Sequence, residues 1–242
     1  MSLAPDVMVT DSGAATRTMQ QQTKTIPIVF TGAGDPVANN LVRNIARPEG
    51  NVTGFSAAEP SIAGKWVELL KEAAPRLARV AIIFNPELSF TASNYISSIE
   101  TAALALAVQT IRTPIRNSVD IVRAIDAFAA EPNGSLVVLP PSPTTAIRDT
   151  IFQLSAQHRL PTFFFARDDV AAGGLMTYST DTADRYRRAA AYVDRLLRGA
   201  KVSDLPVQFP TKFQLIVNLK AAKAIGLTIP ETFLLRADEL IE

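Results

Sequence analysis

Residues 26–55, IPIVFTGAGDPVANNLVRNIARPEGNVTGF, hold the pattern from which the architecture of the chain follows. Ile28-Val29-Phe30 is a short apolar run of strand-forming residues. Thr31-Gly32-Ala33-Gly34 turns the chain, and Asp35-Pro36 predicts a helix start, with Asp35 as N-cap and Pro36 pre-set for the first helical position. Arg47-Pro48-Glu49-Gly50 breaks that helix, and Asn51-Val52-Thr53-Gly54-Phe55 predicts a second strand. The result is one strand-turn-helix-strand unit with a small-residue loop at the carboxyl end of its first strand. In open α/β sheets ligands bind at that end.

The same alternation extends in both directions. Upstream, Asp6 to Thr10 predicts a strand, Asp11-Ser12-Gly13 a turn, and Ala14 to Thr23 a helix. Downstream, after a connector at Ser56–Pro60, Ser61 to Lys71 predicts a helix with Ile62, Trp66, Leu69 and Leu70 on one face. Arg79 to Phe84 is a nearly continuous apolar run, as expected of a strand buried on both faces of a parallel sheet. Helices then follow over 89–107, 118–130, 145–158 and 168–172, interleaved with strands over 108–111, 135–139, 161–165 and 175–178. The spacing of strands and helices predicts βαβ units and a doubly wound α/β sheet. A long charged helix over 181–198, strands over 205–209 and 213–217, and a helix over 218–225 close the pattern.

Composition narrows the function classes. With 242 residues the chain is long enough for one large or two small domains. A net charge of +1 with scattered Lys and Arg offers no basic stripe for nucleic acid. The absence of cysteine removes disulfides, thiol nucleophiles and thiolate metal sites. No run approaches about 18 apolar residues, so no membrane-spanning helix is expected. No charged segment followed by an apolar one opens the chain, so no leader is read there.

The chemistry-bearing residues each have a plainer role to be weighed. His158, the only histidine, reads as a cation at a helix carboxyl end. Without a second histidine or a cysteine, a zinc site is not expected. No G-x-S-x-G elbow is present for serine chemistry. Gly32-Ala33-Gly34 resembles the opening of a dinucleotide fingerprint, but it lacks the third glycine, and Asp35 would face a pyrophosphate. Asp168 and Asp169, adjacent at a helix start, point in different directions and do not form a proton-sharing pair. The arginines at 185, 187, 188, 195 and 198 read as a solvated helix face. Asn85-Pro86, Pro140 to Thr145 and Ala166 to Asp169 are three further loops at strand carboxyl ends. Together with Thr31–Pro36 they offer amide, hydroxyl, guanidinium and carboxylate groups suited to a small zwitterionic or hydroxylated ligand.

These loops lie within a broader resemblance. IPIVFTGAGDPVANNLVRNIARPEGNVTGFS, SIAGKWVELLKEAAPRLARVAIIFNP, EPNGSLVVLPPSPT, HRLPTFFFARDDVAAGGLMTYSTD, RRAAAYVDRLLRGAKVSDLPVQFPTKFQLIVNLKAAKAIGLTIP and LLRADELIE match, in order, the substrate-binding proteins of ABC transporters. The chain resembles in particular the family that includes tryptophan- and phenylalanine-binding members. The resemblance implies a type I periplasmic-binding-protein fold: two Rossmann-like α/β lobes, a hinge of crossing segments, and a solute held in the cleft between them. The first lobe is expected from residues 4–57 and 179–242, and the second from 58–178. Carried over by motif, the first-lobe loop is Thr31, Gly32, Ala33, Gly34 and Asp35. The second-lobe loops are Asn85 with Ser89, Pro140 with Ser142, and Ala166 with Arg167, and the return crossing runs from Tyr178 to Asp181.

The function so implied is the solute-binding component of an ABC importer, periplasmic or cell-surface, without catalysis and without a cofactor or metal. Its solute would be an amino acid or similar small molecule, and its partners a permease and an ATPase. Family members begin with a leader and a further strand-helix-strand, so the first lobe is expected to be incomplete here. The exposed edge that this leaves implies a homodimer through that lobe. The alternative is the effector-binding domain of a transcription regulator with the same two-lobed fold. A nucleotide-using Rossmann-like enzyme is the third reading.

Overall fold

The computed structural model describes residues 5–57, 60–88, 92–141 and 143–242. In chain order it runs β1 (Met8–Thr10), α1 (Gly13–Gln22), β2 (Ile28–Ala33) and β3 (Val52–Ser56), then a 3-10 turn (Pro60–Ile62) and α2 (Ala63–Ala73). There follow β4 (Arg79–Phe84), α3 (Ala92–Ala105), β5 (Gln109–Pro114), α4 (Ser118–Ala129), β6 (Gly134–Val138) and α5 (Thr145–His158). β7 (Thr162–Phe164), α6 (Arg167–Ala171), β8 (Met176–Thr180) and α7 (Thr182–Leu197) come next. A 3-10 turn (Val202–Asp204), β9 (Phe213–Asn218), α8 (Leu219–Ala224), α9 (Glu231–Leu234) and β10 (Glu239–Ile241) complete the chain. Two compact units result: residues 1–59 with 180–213, and residues 60–179 with 214–242. Among the described residues no helix is long and apolar enough to cross a membrane.

The first unit is built on a parallel sheet in the order β1-β2-β3. Successive side chains of a strand point to opposite faces, and the cores obey this. Ile28 and Phe30 pack with Leu41, Val42, Val52 and Val207 on one face. Val29 packs with Phe55, Ala189, Tyr192 and Leu196 on the other, under α7. The spacing of Ala189, Tyr192 and Leu196 is the helical period that lays one stripe of α7 on the sheet. Gly54 is required where β3 meets β2, because its φ is +148° and a side chain there would lie 2.1 Å from the Phe30 carbonyl oxygen.

The second unit holds a seven-stranded sheet in the order β10-β9-β8-β7-β6-β4-β5. The pairs β4–β5, β4–β6, β6–β7, β7–β8 and β9–β10 are all parallel. Its core on one face joins Ala81, Ile83, Leu136, Val138 and Phe164 to Ile121, Ile125 and Phe128 of α4 and Ile151 of α5. On the other face Trp66 of α2 stacks between Tyr95 of α3 (5.6 Å) and Phe163 of β7 (5.3 Å). Helices thus cover both faces, and each fully buried side chain of this size adds about 1.5–3 kcal/mol. The strand order reverses between β4 and β6, the switch point at which doubly wound sheets take ligands.

The structure departs from the expected pattern in three places. No helix follows Asp35. Its carboxylate caps a single turn by accepting from the N–H groups of Val37 (2.9 Å) and Ala38 (3.0 Å). Asn40 then turns left-handed with φ +54°. Further on, Asn44 accepts from the N–H groups of Ala46 (3.0 Å) and Arg47 (3.1 Å). Asparagine side chains here outcompete the helical backbone.

Residues 205–209 do not form a strand. Pro206 cannot donate to a ladder, and only one bridge forms, between Phe55 and Gln208. Residues 214–242, expected with the first lobe, lie in the second unit. β9 runs beside β8 there, with the Asn218 N–H donating to the Leu175 carbonyl (2.8 Å), and β10 adds to β9.

Candidate functional site

The carboxyl ends of β1, β2 and β3 form one edge of the first sheet, and there the chemistry of that unit gathers. Asp11 follows β1, Thr31 to Ala33 close β2, and Ser56 closes β3. The Thr31 hydroxyl is buried, 2.8 Å from Asp11 Oδ1 and 3.2 Å from the Thr10 carbonyl oxygen. Gly32 serves close approach: a Cβ there would sit 2.2 Å from the carbonyl oxygen of Asp11. Ser56 Oγ donates to the Gly34 carbonyl (2.9 Å), which draws the end of β3 onto the same loop. Ala33 is part of the core, so its side chain is structural. Asp35 caps its turn.

From α7 a cation joins this edge. Arg185 Nη1 donates to Thr180 Oγ1 (3.0 Å), while its Nε is buried without an acceptor. Burial pushes the Arg185 pKa down, and the nearby Asp11 charge partly restores it. Ser56, Thr180, Asp181, Arg185, Arg188 and Phe209 line one narrow recess. Arg188 is occupied by Asp184 (3.9 Å) and Gln208, and its guanidinium lies 5.1 Å from the centre of the Phe55 ring. Asp181 caps α7 by accepting from the Asp184 N–H (3.0 Å) and pairs with Lys212 (3.0 Å). The Asp184 N–H, and then Lys212, hold its carboxyl below the ordinary carboxylate range.

In the second unit Asn85, Pro140 and Ala166 follow the neighbouring strands β4, β6 and β7, so all three lie at one sheet edge, beside the switch point. Asn85 Oδ1 accepts from the Glu87 N–H (2.9 Å), forming a local turn. Arg167 is bidentate on Glu239, at 2.5 and 2.9 Å, and ties α6 to β10. The Tyr178 carbonyl accepts from Trp66 Nε1 (3.1 Å). Phe165, half-buried after β7, meets Trp66 and Tyr95 edge-on at 6.2 and 6.4 Å. Ser89 and Ser142 lie outside the described residues.

Other features have structural roles. His158 closes α5 and bonds Asp126 (2.8 Å). Asp169 is buried against Arg148 (3.4 Å) while Asp168 is exposed, so the two do not act as a pair. A wider groove of about 750 Å³, lined by Lys24, Arg47, Glu49 and Lys201 among others, lies at the amino ends of β2 and β3. That edge is opposite to the one at which α/β sheets bind ligands.

Asp11, Ser56 and Phe165 are not among the site residues expected from the sequence, Thr180 enters only within the crossing from Tyr178 to Asp181, and Arg185, expected on a solvated face, is half-buried. For Arg185 a signal existed. Counting back from Ala189, Tyr192 and Leu196 places it on the inward stripe of α7.

Comparison with known proteins places these observations. The family model described as "ABC transporter substrate binding protein" matches residues 2–241. A tyrosine-binding protein of Clostridioides difficile strain R20291 is 22% identical over 228 residues, which is 92% of this chain and 63% of that protein. The chain therefore spans less than two thirds of that relative's length. A conserved domain protein of Vibrio cholerae superposes with a TM-score of 0.84 at 29% identity, covering 99% of this chain and 79% of the other. An ABC domain from Streptococcus pneumonia solved with L-Trp superposes with a TM-score of 0.82 at 24% identity, covering 98% and 81%.

Proposed function

The chain belongs to the family of ABC transporter substrate binding proteins, and from that premise we propose that it is the solute-binding component of an importer, with an amino acid as its solute. The observation that carries this reading is the chemistry at the carboxyl end of the first sheet. A carboxylate (Asp11), two hydroxyls (Thr31, Ser56) and a half-buried guanidinium (Arg185) meet there, a set that fits a zwitterion. The second unit carries an amide (Asn85) after β4 and, after β7, Phe165 packed edge-on against Trp66 and Tyr95. Two relatives support the solute class: one is a tyrosine-binding protein and the other was solved with L-Trp.

The proposed contacts are Gly32 and Gly34 in the first unit, where Thr31 acts through Asp11, and Asn85, Pro140, Ala166 and Tyr178 in the second. Arg167 and Asp181 act through their ion pairs with Glu239 and Lys212, which shape these edges. The protein works by binding and release and carries out no reaction. Its partners are a membrane permease and an ATPase, and its place is the periplasm or the cell surface. A homodimer would form at β1, an edge strand whose Val9 is 52% exposed, and sedimentation velocity would reveal it. Family membership favours this reading over an effector-binding regulator domain.

A thermal-shift and native mass-spectrometry screen against amino acids, small sugars and purines tests the proposal. One amino acid should raise the melting temperature, with a gain of about 2.7 kcal/mol at a hundredfold excess over Kd. Stabilisation by a sugar or purine alone, or by none of the solutes, overturns it.

A further inference from the structure

Arg185 differs from Arg188 of α7 and from Arg198 at its carboxyl end. Arg188 has a carboxylate, an amide and a ring face, and Arg198 pairs with Asp194 at 2.9 Å on the surface. Arg185 holds one hydroxyl, Thr180 Oγ1, lies 5.9 Å from the centre of the Tyr186 ring, and keeps its Nε buried without an acceptor. Asp11 influences its charge through space, yet no ion pair joins the two among the described residues. Each is held by a different neighbour: Asp11 by the Thr31 hydroxyl, Arg185 by Thr180. A half-buried cation that does not collapse onto a neighbouring carboxylate retains its demand for an anion, because its loss of water is only partly compensated. The forked donors of a guanidinium suit a carboxylate in particular.

We propose that Arg185 receives the α-carboxylate of the solute and Asp11 its α-ammonium, so that the carboxyl edge of the first sheet reads the backbone of an amino acid. This rests on the solute-binding reading above and adds to it the two residues that select a zwitterion. Thr31 and Thr180 are positioning residues in this arrangement. By holding the two charges separately, they keep Asp11 and Arg185 from neutralising each other.

The test titrates the protein calorimetrically with the proteinogenic L-amino acids, L-tyrosine and L-tryptophan first. For the tightest binder it adds the decarboxylated amine and the deaminated acid, which for L-tyrosine are tyramine and 3-(4-hydroxyphenyl)propionate. Arg185→Met should weaken the amino acid and the deaminated acid by at least about thirtyfold and leave the amine unchanged. Asp11→Asn, whose amide oxygen can still accept from Thr31, should weaken the amino acid and the amine and leave the deaminated acid unchanged. Arg185→Lys should recover part of the loss, and melting curves of each variant check folding. If Arg185→Met does not fold, Arg185→Lys and Asp11→Asn carry the test. Equal losses for all three ligands, or none, overturn the proposal while the functional reading stands. A wild-type protein that binds no amino acid overturns both.

Discussion

Arg185 shares the inward stripe of α7 with Ala189, Tyr192 and Leu196, and that position turns a residue of ordinary type into a candidate anchor. Residue type is legible in a sequence. Residue environment is legible only when periodicity reveals the face, and here the run of arginines from 185 to 198 hides it behind an apparent solvated surface. Thr31 was readable as the end of a strand, but its partner Asp11 was not, because the bond spans a crossover between neighbouring strands.

Asp181 shows the reverse case. The sequence marks it as the start of a helix, and the structure adds the Lys212 pair. Since its folded pKa is depressed, the stabilisation is complete above the unfolded value and is lost as pH falls through the folded one. Asp181→Asn keeps a capping side chain but loses the ion pair, so it should cost at most about 1 kcal/mol at neutral pH. That gap should close on acidification below the ordinary carboxylate value of 3.8. Melting curves across the acid range check this, and a gap independent of pH would show that Asp181 contributes nothing through its charge.

Helices are recognised from sequence by their period and their caps, and both can mislead when local side chains compete for the backbone. α4 shows agreement between them. Ile121, Ile125 and Phe128 recur on one face, and Asn117 accepts from the N–H groups of Val119 and Asp120 at 2.9 Å each. Asn117→Ala should therefore lower stability by about 1 kcal/mol, read as a shift in the denaturant midpoint at unchanged slope. The stretch after Asp35 shows disagreement. It carries a good cap and a proline at the first position, yet Asn40, in the left-handed region, and Asn44, whose side chain takes two backbone N–H groups, leave the rest as turns that still bury Leu41 and Val42. Asp35 thus caps one turn, and Asp35→Ala should cost no more than about 1 kcal/mol and leave solute affinity within twofold. A large loss of affinity at unchanged stability would put Asp35 in the site.

At the scale of the whole molecule, the chain passes from the first unit to the second and back, and then ends in the second. β9 and β10 extend the seven-stranded sheet, so a chain ending at Phe213 should leave the edge of β8 open. Such a chain is expected to lose strand signal in far-ultraviolet circular dichroism and to self-associate on size exclusion. A monomeric, fully structured product would mean that the second unit does not need its closing strands. The sequence by itself determined the alternation of strands and helices and the carboxyl-end loops, because hydrophobic period, caps and breakers act within about a dozen residues. Only the tertiary structure decided which sheet receives residues 214–242, whether 36–50 coils into a helix, and which arginine turns inward. An apolar run such as Phe213 to Val217 satisfies any open sheet edge, and the choice among edges depends on main-chain partners far away in the sequence.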